Sequence, residues 1–159
     1  MGLKKDRARA VVRVLLAGLV AVLMPAAAQA HVSVWPRQSN AGGNERYTVR
    51  VPTEGKVATT SVVLEVPEGV RVQELLTPVG WTHDVKRQDD RTVAITWHVN
   101  VKPGEFLEVG FVALNPKDKS QLVWKLTQNF ADGTSSDWTN GPNGIYRTAV
   151  TSLTPVPAR

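Results

Sequence analysis

Sulfur is missing where it would matter. The 159 residues contain no cysteine, and the two methionines, Met1 and Met24, both fall within the first thirty residues. The remainder can therefore form no disulfide, thiolate metal site, cysteine nucleophile or methionine-rich Cu(I) site. Long apolar runs are also scarce. One uninterrupted run spans 14–24, behind a basic stretch of Lys4, Lys5, Arg7, Arg9 and Arg13 against Asp6, and AQA follows at 28–30. The run is shorter than the ~20 residues a bilayer requires. Residues 1–30 thus read as a secretory signal peptide cleaved after Ala30. The expected product is exported to the periplasm or beyond, soluble, and without a membrane span in the mature chain. No lipobox cysteine is present to anchor it.

Excess positive charge is largely a property of the leader. The net charge of +5 falls to +1 without residues 1–30, because 14 basic and 13 acidic residues remain. A nucleic-acid or anionic-surface partner is therefore not implied. The 129 residues from His31 onward suffice to bury a core without covalent staples.

Helical periodicity is nearly absent. Short β-branched runs recur instead at 47–51, 61–66, 92–99, 106–114 and 122–128, several alternating apolar with polar residues as half-buried strands do. In 92–99, Val93, Ile95, Trp97 and Val99 are expected on one face and His98 on the other. Turn signals separate the runs: AGGN at 41–44, PEG at 67–69, PG at 103–104, NP at 115–116 and DG at 132–133. The expected fold is all-β, an antiparallel β-sandwich of immunoglobulin or cupredoxin type. It occupies 31–150 with a last strand over 146–150, followed by a flexible tail at 151–159.

Cleavage after Ala30 makes His31 the first residue of the mature protein. Such a histidine offers its α-amine and its imidazole Nδ1, which close a six-membered chelate ring. Reference pKa values of about 8 for an α-amine and about 6.5 for an imidazole let a metal displace both protons near neutrality. Nitrogen and oxygen donors in a tetragonal arrangement suit Cu(II). Glu54, beyond Pro52 at a strand end, and Trp138, beside the DG turn, read on their own as a solvated carboxylate and a packing residue. Trp35, Trp81, Trp97 and Trp124 read as core or interstrand packing. His83 and His98 read as unpaired surface residues, with no spacing that pairs them.

The ordered set HVSVWP at 31–36, YTVRVPTE at 47–54, VPEG at 66–69, GW at 80–81, KPGEF at 102–106, NPK at 115–117 and DGTSSDW at 132–138 resembles the YcnI-like family of bacterial exported copper-binding domains. The likeness runs through essentially the whole chain after residue 30. It implies a β-sandwich holding Cu(II) by a single-histidine brace, in copper homeostasis outside the cytoplasm beside other copper-handling proteins. Carried over, His31 supplies two nitrogens, Glu54 a carboxylate oxygen, and Trp138 a wall against the site. The family commonly has Glu before that Trp. Here Asp137 is one methylene shorter, so it either reaches the metal or only hydrogen-bonds nearby. Family members often carry a C-terminal membrane helix, and no such segment stands in this sequence.

On this reading the chain is a copper-binding module and not an enzyme. A metal-free carbohydrate-binding or adhesion sandwich is the alternative, with surface tryptophans. A copper monooxygenase is a more distant one, since it requires a second histidine beside His31. A serine hydrolase lacks its Gly-x-Ser-x-Gly elbow.

Overall fold

The computed structural model describes residues 31–139 and 146–155. The expected signal peptide (1–30) and the end of the expected tail (156–159) lie outside the described residues. Eleven strands form among those described: β1 (Ser33–Trp35), β2 (Gln38–Asn40), β3 (Asn44–Pro52), β4 (Thr59–Glu65), β5 (Arg71–Leu76), β6 (Thr82–Gln88), β7 (Arg91–Val101), β8 (Phe106–Leu114), β9 (Gln121–Phe130), β10 (Ser135–Trp138) and β11 (Ala149–Thr154). They build two sheets, one ordered β1-β3-β8-β5 and the other β2-β11-β9-β4-β7-β6, with β10 added on β9. Every pairing is antiparallel except β11 with β2, which is parallel. The result is a β-sandwich. No helix among the described residues is long and apolar enough to cross a membrane.

Alternation sets the core. Tyr47, Val49 and Val51 of β3 and Leu107, Val109, Phe111 and Ala113 of β8 point inward from one sheet. Val62 and Leu64 of β4 and Leu122, Trp124 and Leu126 of β9 meet them from the other. Each large side chain so buried contributes about 1.5–3 kcal/mol of transfer free energy. The two layers lock through Tyr47, whose ring centroid lies 4.9 Å from Trp124 and 5.2 Å from Phe111.

Several local expectations are corrected. The last strand runs not over 146–150 but over Ala149–Thr154: it starts three residues later and ends four later, Leu153 is only 5% exposed, and the supposed tail begins inside a strand. Val93 does not share the face of Ile95, Trp97 and Val99. The β6–β7 register shifts there, so Thr92 is buried and Val93 half-buried, as a β-bulge dictates. Trp35 is not a packing residue of the core. It alternates with buried Val34 on the edge strand β1, is 48% exposed, and carries the Arg37 guanidinium 4.6 Å from its ring. The Trp35–Pro36 peptide is cis. His83 and His98 are exposed but not unpaired: His83 Nδ1 lies 2.7 Å from Thr77 Oγ1, and His98 Nε2 lies 2.7 Å from Asp84.

Candidate metal centre

One edge of β9 is shared by two strands. β11 pairs with residues 121–124 and β10 with 126–129, while β4 covers the opposite edge. Just before β11, Tyr146 stands edge-on to the Trp138 indole at 5.1 Å, and Arg147 reaches His31.

His31 arrives from the other sheet. β1 pairs with β3 in the register Ser33 to Arg50, Val34 to Val49 and Trp35 to Thr48. Continued two residues back, that register sets His31 level with Pro52, the last residue of β3 and two before Glu54. The His31 ring stands edge-on to Trp138, 6.2 Å between centroids, and is partly buried. Its Nε2 lies 3.1 Å from Arg147 Nη2. A guanidinium only donates, so Nε2 accepts and the ring proton is assigned to Nδ1. His31, Arg147, Arg37 and Ser33 line a cavity of about 360 Å³ at this corner.

Glu54 is exposed in the turn leaving β3. Its approach is fixed by the backbone before it. The Thr53 N–H donates to Glu105 O at 2.9 Å, Thr53 O accepts from Gly104 N–H at 3.0 Å, and the Thr53 hydroxyl meets Thr59 Oγ1 at 2.8 Å. Gly55 follows with φ +88°, a left-handed conformation that glycine adopts without a Cβ penalty.

Trp138 is 5% exposed, and its indole N–H points at Gln128 Oε1, 3.4 Å away. Asp137 precedes it on a strand and so faces the other side. Its carboxylate is exposed and accepts from Thr127 Oγ1, across the β9–β10 pair, at 2.8 Å. His83 and His98 sit on β6 and β7, at the far edge of the larger sheet from β11. The fold thus gathers His31 and Trp138 at one end of the sandwich, brings the Glu54 turn to the same strand end, and turns Asp137 away.

Sequence reasoning missed Arg147, Tyr146 and Gln128. The first two belong to the expected strand over 146–150, with nothing local in the sequence to tie them to His31 or Trp138. Gln128 did carry a signal: it is polar at an inward position of β9, in step with Leu122, Trp124 and Leu126.

A family model described as a domain of unknown function, DUF1775, matches residues 31–158. The copper-binding protein CutI of Bacillus subtilis (strain 168) is 36% identical over 132 residues, which is 81% of this chain and 65% of that protein. The chain thus spans just under two-thirds of that relative's length. A Nocardia farcinica protein with an immunoglobulin-like fold superposes with a TM-score of 0.66 at 25% identity, covering 77% of this chain and 97% of that one. A non-cellulosomal cohesin from Archaeoglobus fulgidus aligns more loosely, at 10% identity and a TM-score of 0.48 over 78% of this chain and 90% of its own. With its sandwich fold and a match covering nearly all of residues 31–159, the chain belongs to the DUF1775, or YcnI-like, family.

Proposed function

We propose that this chain is an exported copper-binding protein of copper homeostasis, a chaperone, buffer or sensor, which holds Cu(II) after cleavage exposes His31. The α-amine and Nδ1 of His31 give two nitrogens, Glu54 gives a carboxylate oxygen, and Trp138 with Tyr146 walls the site from water. Asp137 stands outside this donor set, committed to Thr127. The observation that carries the reading is the seating of His31 against buried Trp138 at the strand end that leads into Glu54. The name of the Bacillus relative supports copper as the cargo.

Among the described residues no three His, Cys, Asp or Glu side chains converge. The amine that cleavage would free at His31 adds a main-chain donor to the side chains of His31 and Glu54. Two nitrogens and an oxygen match the preference of Cu(II), whereas Cu(I) favours sulfur that the mature chain lacks. Reduction should weaken binding and favour release to a partner with thioether or thiolate ligands. The metal-free surface-tryptophan reading draws less support, since Trp97, Trp124 and Trp138 are buried and Trp81 packs against the core.

The test is a Cu(II) titration with electron paramagnetic resonance on two forms, one beginning at His31 and one with a single alanine ahead of it. Tight one-to-one binding with a nitrogen-rich tetragonal signal only in the first is expected. Equal binding by both, or by neither, would discard the chelate.

A further inference from the structure

Gln128 is an expensive residue for its place. It is 1% exposed on the inner face of β9, where the other inward positions hold Leu122, Trp124 and Leu126. A primary amide taken out of water is unfavourable unless its donors and acceptor are all used. Here they are. Nε2 donates to Pro52 O at 2.9 Å and to Thr59 Oγ1 at 2.7 Å, and Oε1 accepts from Trp138 Nε1 at 3.4 Å. The amide has one workable orientation, because the Pro52 carbonyl can only accept and the indole N–H can only donate. With Thr59 accepting from Gln128, its own hydroxyl hydrogen is free to donate to Thr53 Oγ1 at 2.8 Å. All these groups are buried or partly so.

This one side chain therefore joins two parts that the sequence separates widely. On one side is Trp138, which packs on His31. On the other are Pro52 and Thr53, the two residues that lead into Glu54. An apolar side chain of similar volume would fill the same space but orphan the Pro52 carbonyl and the Trp138 indole N–H, so it is the groups joined, not the volume, that call for glutamine. We infer that Gln128 is a positioning residue of the copper site, fixing the Glu54 turn and the Trp138 indole relative to His31 without touching the metal. The inference rests on the reading of His31 and Glu54 as ligands. Gln128 acts as the second tier of a metal site does, holding donors and walls in place from behind.

The test uses the form beginning at His31, with three substitutions. Gln128→Met keeps the volume and removes every hydrogen bond. Thr59→Val removes two bonds of the same chain, those to Gln128 Nε2 and to Thr53 Oγ1, at nearly constant shape, and leaves the bonds of Gln128 to Pro52 and Trp138 in place. Leu126→Met perturbs the same face of β9 and breaks none of them. Outer partners of metal ligands typically change affinity by about 10- to 100-fold, so Gln128→Met is expected to weaken Cu(II) binding about tenfold or more. Its copper hyperfine splitting and the quenching of tryptophan emission by Cu(II) should change too. Thr59→Val should show a smaller loss in the same direction and keeps the inference testable if Gln128→Met does not fold. Leu126→Met should leave affinity and spectra unaltered. Unaltered affinity and spectra in both Gln128→Met and Thr59→Val, with Glu54→Gln weakened in the same series, would overturn the inference and leave the ligand reading intact. If neither Glu54→Gln nor the alanine-extended form affects binding, the ligand reading fails and this inference falls with it.

Discussion

At the scale of single residues, the chemistry lies in few atoms and can be dissected. Glu54→Gln removes the proposed anionic oxygen donor while keeping the shape of an exposed side chain. Outer partners of metal ligands alone change affinity by about 10- to 100-fold, so loss of a donor should lower Cu(II) affinity by at least about tenfold with the domain still folded. An unchanged affinity would remove Glu54 from the donor set. Arg147 should act in the opposite sense. Its guanidinium donates to His31 Nε2 only while the ring proton sits on Nδ1, the nitrogen that the proposed chelate would use. Metal at Nδ1 moves that proton to Nε2, leaving two donors face to face, and Arg147 must withdraw. Arg147→Gln should therefore raise Cu(II) affinity by about fivefold, the equivalent of one net hydrogen bond of about 1 kcal/mol. Weaker binding in a competition titration would mean that Arg147 supports the loaded site. His83→Ala and His98→Ala, with partners at the far edge of the sheet, should stay within a few-fold of the parent.

At the scale of elements, legibility follows burial. The run at 106–114 coincides with β8, because Leu107, Val109, Phe111 and Ala113 alternate cleanly into the core. β5 and β6 leave no such trace: they flank the sandwich, and in β6 only Val85 is even half-buried, so no period of two arises. β10 has four residues with one buried apolar side chain among them, too short to register as a pattern. At the proposed site, His31 is singled out by the expected cleavage after Ala30, and Glu54 and Trp138 by the family likeness, whereas the opposite facing of Asp137 depends on a strand that sequence does not reveal. β11 is misplaced in the sequence reading, at 146–150 in place of Ala149–Thr154, because its partners lie far away along the chain. Its end is held by β2 in parallel as well as by β9, with Leu153 buried between the layers. Leu153→Ala should accordingly cost about 2–5 kcal/mol, as large-to-small changes in a packed core do. The urea midpoint should fall at constant slope. A variant as stable as the parent would restore the view of 151–159 as a tail.

At the scale of the whole molecule, what stabilises the sandwich is set apart from what is proposed to bind metal. The Tyr47, Phe111 and Trp124 cluster joins the sheets. Tyr47 lies five residues before Pro52 on β3, or about 17 Å along an extended strand. Its hydroxyl donates to Asn115 Oδ1 at 2.7 Å, and Asn115 in turn donates to Ser39 Oγ and Asn40 O, each at 3.0 Å. Burial pushes the Tyr47 phenol up to about 12 from its ordinary 10. The unfolded chain then loses this proton before the folded one does, so between pH 10 and 12 the unfolded state binds fewer protons and stability falls as pH rises. The contribution is complete below pH 10 and is lost progressively towards pH 12, where the cost reaches about 2 kcal/mol. Tyr47→Phe should remove this alkaline slope. At neutral pH it should cost about 1–3 kcal/mol, because Asn115 loses its buried partner. The same variant should bind Cu(II) as the parent does, since neither the β1–β3 register at His31 nor the hydrogen bonds around Gln128 involve the Tyr47 hydroxyl. Denaturation curves at pH 8 and pH 11, with a copper titration at neutral pH, test both parts. A Tyr47→Phe variant that stays folded yet binds copper weakly would show that the centre of the sandwich and its end are coupled, contrary to the separation argued here.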